Sequence, residues 1–529
     1  MEYESIGAEI VARYDKLKSD ASNWFDLFQD IAMYFAPRYA SISTQRAEAD
    51  LFEDNLYVDI GRQAANEAAA GFLGQMAPVG QEWFRLEADY PEASQNVRDW
   101  FASSTKKLEK LMSTSDFYNA LHNDIFMSLV FGTSDLTVET GKSKPFSFKS
   151  IPVGRFLFEN NDEDEPDVAY QSFKWSLKQI VDRWGEDVLP DKYKNLWEQK
   201  HPDCTTKKHE IIQCIRPRED SVAGLVSEER RPYAEYFVFK ETKDKIYEGG
   251  FYENPHIISR HLEQSDTFWG YSIGMQTLAK IRQLNDMEEC RMLALEKMGD
   301  PGWLMPDDGM YAPDNRPRGI TYFRADSQHL PQQIDYKNRP DLLLQDIEIK
   351  KEELRKAWYS DVFRMLQDMP NPKTATEILA LQEERLILFS QALTLYQKEK
   401  LNRIIERCFA IALREGLLSE PPPEIVTGGD YRVVYTSRIA LSSKSQENAV
   451  ILNALRATAE LAAVDNTAMM VPNIPKVLRR VYENMGIDPD LINSAEEVNA
   501  MAAQQRQMAA LQQGAQTAES ATKALSNLQ

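Results

Sequence analysis

The sequence predicts an α+β protein in which helices predominate, and the spacing of apolar residues is the main reason. Over most of the first 131 residues, and again beyond residue 271, apolar residues recur at helical spacing. Residues 134–260 instead alternate apolar and polar side chains, as half-buried strands do. With 529 residues, the chain has room for roughly two to four subdomains.

Four helices are predicted before the β-rich part. In the first, Ile10, Tyr14 and Leu17 fall on one face. Pro37 should end it, because proline disfavours helical backbone at the preceding residue. The expected helices cover about residues 5–36 (either whole or broken once), 57–76, 93–112 and 117–131.

Turn signals such as Gly249-Gly250 divide the β-rich part into short strands. The acidic residues 159–167 show no apolar periodicity, which predicts a solvated loop. The expected strands include residues 136–139, 146–148, 233–239 and 246–248, with one short helix at about 176–184.

A pair of helices with an irregular insert follows. The first helix is expected from about Tyr271 to Met298, where Asp300-Pro301-Gly302 breaks it, and the second from about Asp341 to Trp358. The insert, residues 299–340, is rich in proline and glycine, with one expected strand at 320–323. Such helices can pack as a pair and project the insert from the body.

The six residues from Lys373 to Ile378 mark the start of a long helix. Thr374 and Glu377 have the spacing of a capping box. In that motif the threonine oxygen accepts an amide of the first turn, and the glutamate reaches back to the cap amide. The motif alone indicates only an ordinary helix start.

This helix should continue to Arg414, a length of about 60 Å at 1.5 Å per residue. Gly416 and Pro421-Pro422-Pro423 are placed to end it. A strand at 431–436 and a mainly helical segment, 444–529, complete the chain. Its last thirty residues are rich in Ala and Gln, which predicts either a helix packed on copies of itself or disorder.

Composition excludes several classes of function. The net charge is −21 and no basic stripe is visible, so tight static binding to DNA phosphates is disfavoured, whereas passage of DNA along an acidic surface stays open. No run approaches the ~18 apolar residues that span a bilayer. The acidic start, Met1 to Ser5, does not resemble a signal peptide. We therefore expect no membrane association and a protein that stays in the cytoplasm where it is made.

No metal-binding constellation stands out. The histidines form no H-E-x-x-H motif, and His256 and His261 lie five residues apart in an extended segment. The cysteines are scattered without a C-x-x-C pair, which favours buried free thiols over disulfides. They are Cys204, Cys214, Cys290 and Cys408.

No catalytic motif stands out either. Gly141-Lys142-Ser143 is not a phosphate-binding loop, because Leu136 occupies the position that requires the first glycine. Carboxylate pairs such as Asp307-Asp308 fall in Pro/Gly-rich loops, where solvated side chains are the usual state. A nuclease or an ATP-driven motor would need a phosphate loop or a carboxylate cluster that is not visible. We expect neither an enzyme nor a cofactor.

Several motifs, in order along the chain, resemble those of head-to-tail connector (portal) proteins of short-tailed phages. The longest runs from Lys373 to Pro423, with a T-A-T-E motif, a long helix and a G-L-L…P-P-P ending. Trp269-Gly270-Tyr271 stands where many relatives have Tyr-Gly and a proline, so the local turn departs from the pattern. The other matching stretches are Trp24 to Pro37, Ala64 to Phe84, Ile258 to Arg260, Ser272 to Gly274 and Tyr435 to Leu441.

The resemblance implies a portal fold assembled as a ring, in which each subunit has a wing, a stem, a clip and a crown. The implied boundaries are 1–270 for the wing, 271–298 for stem helix 1, 299–340 for the clip, 341–358 for stem helix 2, 359–373 for the channel (tunnel) loop, 374–443 for the long wing helix and its strand, and 444–529 for the crown and tail.

It also implies a function: a ring, expected to be a dodecamer, at the unique capsid vertex of the virion, through which double-stranded DNA is packaged and ejected. The implied partners are copies of the chain itself, the DNA, the terminase, tail adaptor proteins, and capsid and scaffold proteins. The alternative that remains is another virion structural protein, such as a capsid or internal scaffold component, without a DNA channel.

The resemblance implies candidate sites rather than a catalytic centre. In the channel loop, Arg364 and Lys373 are candidates for transient DNA contacts, and Thr374 and Glu377 would fix where the loop ends. The apolar constriction would come from Met365, Leu366 and Met369, weaker DNA candidates on stem helix 1 are Lys280 and Arg282, and the clip candidates for partner docking are Trp303, Tyr311, Arg316 and Arg318.

Overall fold

The computed structural model describes residues 5–44, 56–90, 94–141, 143–220, 224, 227–265, 267–299, 303–304, 332–333, 340–360, 390–426, 430–436, 438–462, 472–484 and 501. Helices and strands are mixed and helices predominate, as the sequence predicts. The chain forms two compact units. The larger contains Met1–Gln81 and Leu86–Val433, and the smaller contains Glu82–Arg85 and Val434–Gln529.

Five helices open the larger unit, and their bounds lie close to the predicted ones. The first predicted helix is broken once, at Ala21, and Ser5 caps its start by accepting the amide of Ala8. The fifth helix is almost entirely buried and ends at Gly132. Their bounds are α1 Ile6–Asp20, α2 Ser22–Phe35, α3 Ile60–Met76, α4 Gln95–Ser113 and α5 Phe117–Phe131.

The β-rich part forms two antiparallel sheets. A three-stranded sheet has the order β3-β2-β9, and a five-stranded sheet has the order β4-β5-β6-β7-β8. The strands are β2 Thr133–Thr140, β3 Phe146–Ile151, β4 Phe156–Asn160, β5 Pro166–Ser176, β6 Lys208–Pro217, β7 Tyr233–Phe239, β8 Lys245–Phe251 and β9 His256–Arg260, while β1 Phe84–Ala88 belongs to a separate two-stranded sheet.

The five-stranded sheet differs from expectation in two respects. The predicted acidic loop is shorter, because β4 and β5 extend into it and leave only residues 161–165 as their connection. Between β5 and β6 lie three helices rather than one: α6 Leu177–Trp184, α7 Asp191–Glu198 and α8 Asp203–Thr206. Only α6 has a strong local signal, a capping box formed by Ser176 and Gln179. The short α7 and α8 are held by burial of Tyr193 and Cys204 in the core beside the sheet.

After β9 the chain passes through a hairpin, β10 Leu262–Gln264 and β11 Thr267–Tyr271, into the predicted helix pair. The pair is α9 Ile273–Gly299 and α10 Pro340–Ala357, with the short strands β12 Trp303–Leu304 and β13 Gln332–Gln333 between them. The strand expected at 320–323 lies outside the described residues.

The described part of the long helix starts at Ser390, so its predicted cap, Thr374 and Glu377, lies outside the described residues. It comprises α11 Ser390–Tyr396, a π-helical turn Gln397–Leu401 and α12 Asn402–Arg414, followed by Gly416 at a φ of +64°. The elements that remain are α13 Pro423–Val426, β14 Tyr431–Tyr435, which pairs with β1, and α14 Arg438–Ala462 and α15 Ile474–Asn484 in the smaller unit.

The thiols follow the predicted pattern with one exception. Cys204, Cys214 and Cys408 are buried, and burial raises the pKa of Cys214 to about 12. Cys290 is exposed on α9, so the expectation of a buried thiol is wrong there. Its position follows from the helix pair, because α9 beyond Asn285 is mostly exposed.

Two backbone segments are in direct contact at Gly132 and Gly270, with no side chain between them. A Cβ atom on either glycine would overlap the carbonyl oxygen of the other, and Gly132 has a φ of +88°. The amide of Gly270 donates to Thr133 Oγ1 over 2.8 Å, and the amide of His261 donates to the Gly132 carbonyl over 2.8 Å. This crossing fixes the strand that leads into α9 against the start of β2.

We predict that Gly132→Ala lowers the free energy of unfolding by about 3 kcal/mol, because it adds a backbone overlap to the strain of a left-handed conformation. Gly416→Ala is the matched control, since Gly416 has a φ of +64° and open space around it. Its expected loss is about 1 kcal/mol from backbone strain alone. Urea unfolding measures both, and equal losses would refute a specific role for the crossing.

Candidate functional site

The helix pair α9–α10 changes from buried to exposed along its length. Ile281 and Leu284 near the start of α9 are fully buried, as are Leu354 and Trp358 near the end of α10. Most side chains at the opposite ends are exposed. The pair is therefore rooted in the larger unit at one end, and its other end leads to residues 299–340.

The root of the pair is fixed by specific contacts. Ser272 Oγ accepts the amide of Met275 at the start of α9. The Trp358 indole donates to Thr277 Oγ1 over 3.1 Å, and its ring lies 5.0 Å from that of Phe35. A Cβ atom on Gly274 would overlap the Val130 carbonyl, so α9 and α5 approach as closely as their backbones allow. These contacts explain why the sequence places small and hydroxyl residues here.

The insert contains a short two-stranded ribbon. β12 and β13 pair antiparallel, with Trp303 opposite Gln333 and Leu304 opposite Gln332. Of the clip candidates, only the backbone of Trp303 is therefore placed by the structure. Tyr311, Arg316 and Arg318 lie outside the described residues, as do the loop candidates Arg364, Met365, Leu366, Met369 and Lys373.

The two basic candidates on α9 both have acidic neighbours within the same chain. Lys280 Nζ lies 3.7 Å from Glu353 of α10, and Arg282 Nη2 lies 2.8 Å from Asp30 of α2. Both pairs are about half exposed, so solvent weakens them. Carboxylates of the same chain therefore partly balance the positive charges of Lys280 and Arg282, and contact of these residues with DNA stays a prediction.

Six exposed apolar side chains lie on the outer half of the helix pair. Met292, Leu293, Leu295 and Met298 on α9 are each 41–48% exposed. On α10, Leu344 and Ile349 are 48% and 58% exposed. We call these six residues the apolar stripe. Sequence reasoning considered only the inner face of α9, although apolar residues recur to its end and would have revealed the stripe.

A buried polar network that sequence reasoning missed anchors the long helix. At the π-helical turn, Lys400 is fully buried and donates to Asp124 Oδ1 over 3.0 Å. It also donates to the carbonyl oxygens of Ser134 and Ile257. The ammonium thus has three acceptors, one from α5, one from β2 and one from β9. We call Lys400, Asp124 and their hydrogen-bond partners the Lys400 network.

The other carboxylate oxygen of Asp124 also has hydrogen-bond partners. Oδ2 accepts the hydroxyl of Tyr396 over 2.7 Å and that of Ser134 over 2.9 Å. Burial raises the pKa of Asp124, while the charge of Lys400 and the hydrogen bonds act in the opposite direction. Burial and the neighbouring carboxylate raise the pKa of Tyr396, which keeps its hydroxyl protonated as a donor.

A second ion pair lies beside this network. Glu399 accepts both the backbone amide and the guanidinium of Arg260, over 2.8 Å and 2.7 Å, at the end of β9. Arg260 belongs to a stretch that the resemblance singles out. The π-helical turn therefore directs two consecutive side chains, Glu399 and Lys400, toward the same strand. Such insertions in helices are rare and occur frequently at functional sites.

Two further findings bear on function. Among the described residues, no three His, Cys, Asp or Glu side chains are placed to hold a metal ion together. In the same part of the chain, no helix combines the length and apolar character needed to cross a membrane. An α+β unit that carries a rooted helix pair with an exposed apolar stripe points to a protein that works through contacts with other macromolecules.

Comparison with known proteins identifies the family. The chain belongs to the family described as bacteriophage head to tail connecting protein, which matches residues 8–492. It is similar to the probable portal protein of Bordetella phage BPP-1, with 24% identity over 536 residues that cover 96% of this chain and 94% of that protein. It is equally similar to the portal protein of Salmonella phage epsilon15, with 24% identity over 544 residues, 99% of this chain and 96% of that protein.

We predict that Lys400→Met lowers the free energy of unfolding by about 3–5 kcal/mol, because it leaves the Asp124 carboxylate buried without its partner. Lys398→Met is the matched control, since Lys398 lies in the same π-helical turn and is exposed. Adding Asp124→Asn to Lys400→Met should restore part of the loss, since no buried charge remains.

Chemical denaturation of the three variants and the parent measures these differences. Equal stability of the Lys400 and Lys398 variants would show that the buried pair does not hold the helix.

Proposed function

We propose that this protein is the portal of a phage capsid: a ring of identical subunits, expected to be twelve, through which double-stranded DNA enters and leaves the head. The observation that carries the proposal is the family match across residues 8–492. Both relatives are portal proteins by description and align over nearly their whole length. The match favours this function over a capsid or scaffold protein without a channel.

In this proposal the rooted helix pair is the stem. Residues 271–298 and 341–358 are its two helices, and the ribbon-containing insert 299–340 is the clip. The clip would dock the terminase during packaging and tail adaptors afterwards. Residues 1–270 and 374–443 form the wing, and residues 444–529 form the crown and tail. Burial at one end of the helix pair and exposure at the other support this arrangement.

The negative net charge of the chain is compatible with a channel through which DNA passes. A net charge of −21 per subunit gives a ring that repels phosphate, so DNA can slide instead of adhering. A few basic side chains repeated around the ring would hold it transiently, with Arg364 and Lys373 of the channel loop 359–373 as candidates. Energy from ATP hydrolysis would come from the docked terminase, because the sequence shows no phosphate-binding loop.

The apolar stripe supports ring formation. A side chain of this size left fully in water carries a hydrophobic cost of about 1.5–3 kcal/mol relative to full burial. The six residues are 41–58% exposed, so each retains roughly half of that cost. Repeated contacts between stripes of neighbouring subunits would remove much of that cost in every interface of a closed ring. We therefore assign the stripe to the interface between adjacent stems.

We predict that the purified full-length protein forms rings with a central hole in negative-stain electron microscopy. The double substitution Met292→Glu and Leu295→Glu should shift most of it to monomers, because two charges would enter the apolar interface. Gln283→Glu is the matched control, since it adds a charge to an exposed position of the same helix. Light scattering measures the distribution, and circular dichroism checks that the variants remain folded.

Rings that persist in the double variant would remove the stripe from the interface. Monomers or closed shells in the parent protein at every concentration would contradict the portal function itself.

The channel loop gives a separate prediction. We predict that Arg364→Ala with Lys373→Ala leaves ring assembly intact and reduces packaged or retained DNA, because the wall loses its repeated basic contacts. DNA protected from nuclease inside assembled particles measures the effect. Lys398→Ala, an exposed lysine of the π-helical turn, serves as the control. Unchanged packaging and retention in the double variant would exclude both residues from the mechanism.

A further inference from the structure

A cavity of about 200 Å³ lies beside the C-terminal half of α12, and its lining residues belong neither to the helix pair nor to the Lys400 network. Its walls come from the end of β2, from the residues after β8 and from the helix, and three arginines are among them. The lining residues that matter here are Thr140, Arg231, Tyr252, Glu253, Arg407 and Arg414.

Arg407 forms the buried floor of this cavity and is only 5% exposed. Its Nε donates to the Val138 carbonyl and its Nη1 to the Glu253 carbonyl, each over 2.7 Å. Nη1 also reaches the Glu253 carboxylate over 3.1 Å. These are all the hydrogen bonds that the structure gives this guanidinium among the described residues, and they leave Nη2 without an acceptor.

The positive charge of the buried Arg407 guanidinium is only partly balanced by nearby carboxylates. Burial lowers the pKa of Arg407 to about 10, although Glu253 acts in the opposite direction. The same Glu253 carboxylate also pairs with Arg414, which takes both of its oxygens. One carboxylate therefore serves two guanidinium groups. Glu415 also lines the cavity, so a bound anion would be held by hydrogen bonds from individual guanidinium donors and not by a surplus of positive charge.

Arg231, the third arginine of the cavity, stacks on the ring of Tyr252. Tyr252 has Arg231 4.8 Å and Arg414 4.7 Å from its ring centroid. Arg231 Nη1 donates to the Gly250 carbonyl over 3.0 Å and lies 3.6 Å from the Glu228 carboxylate, whereas its Nε is buried with no hydrogen-bond partner. Stacking on an aromatic ring fixes the plane of a guanidinium and so prepares its donors for a planar or tetrahedral oxyanion.

From these observations we propose that the cavity is a binding site for a small oxyanion, a phosphate or carboxylate group, held by the guanidinium groups of Arg231 and Arg407. The bound anion would join the segment before β7, which carries Arg231, to α12, which carries Arg407, through charge-assisted hydrogen bonds. Recognition requires oxygen acceptors, so chloride should not replace it.

The test is thermal unfolding of the purified full-length protein at pH 7 with added inorganic phosphate, acetate or chloride at one fixed ionic strength. The midpoint should rise with phosphate or acetate beyond the chloride value and saturate with concentration, because a ligand that binds only the folded state stabilises it. Whichever oxyanion gives the lower apparent Kd identifies the preferred group. Light scattering confirms that the assembly state is the same in all three salts.

Two substitutions locate the effect. Arg231→Gln removes one unused donor and should raise the apparent Kd at least about tenfold, the scale of one lost charge-assisted hydrogen bond. Arg230→Gln is the matched control, because Arg230 is the exposed neighbour and does not line the cavity. Thr140→Trp keeps every charge and fills the opening, and it should produce the same loss.

Three results would overturn the proposal. These are equal midpoints in oxyanion and chloride, an equal response of the Arg231 and Arg230 variants, and an undiminished response in the Thr140 variant. None of them depends on whether the protein forms rings, so failure here leaves the portal function untouched.

Discussion

The buried charge of Lys400 is the interaction on which the larger unit depends. A buried ammonium group is stable only if acceptors surround it, and these come from α5, β2 and β9. The π-helical turn is the means by which the helix presents the lysine at that point. A hydrophobic side chain could fill the same space, but it would not fix the rotation or register of the helix. The hydrogen bonds of the pair therefore favour one rotation and register of the helix.

A short series of contacts connects Lys400 to the start of the helix pair. Lys400 and Glu399 hold β9 at Ile257 and Arg260. β9 leads through the β10–β11 hairpin to the Gly132–Gly270 crossing and then to the start of α9. The links are a side-chain hydrogen bond to a backbone carbonyl, a partly buried ion pair, the hairpin itself and a backbone contact that admits no side chain. These contacts fix the position at which α9 begins.

The sequence predicts the helices of this fold well because their signals are local. Apolar periodicity and the breakers Pro37 and Gly132 place the first helices within a few residues of their observed bounds. The Lys400 network could not be predicted, since a lone lysine in a polar stretch normally indicates a solvated face. Its burial depends on Asp124 and Ile257, which lie 276 and 143 residues away in sequence. The candidate basic residues were chosen because the resemblance to portal proteins places them in the channel loop and in stem helix 1, and Lys400 lies in neither segment.

Charge also constrains how copies of this chain can associate. Many arginines are tied to carboxylates of their own chain, as in Arg216–Glu9, Arg403–Glu165 and Arg414–Glu253. These arginines are not free to pair with carboxylates of another copy. Each copy carries a net charge of −21, so identical copies repel one another as they approach. The proposed ring would need an attractive term that does not depend on charge, and burial of the apolar stripe would supply one. Salt that screens the repulsion would leave this term intact.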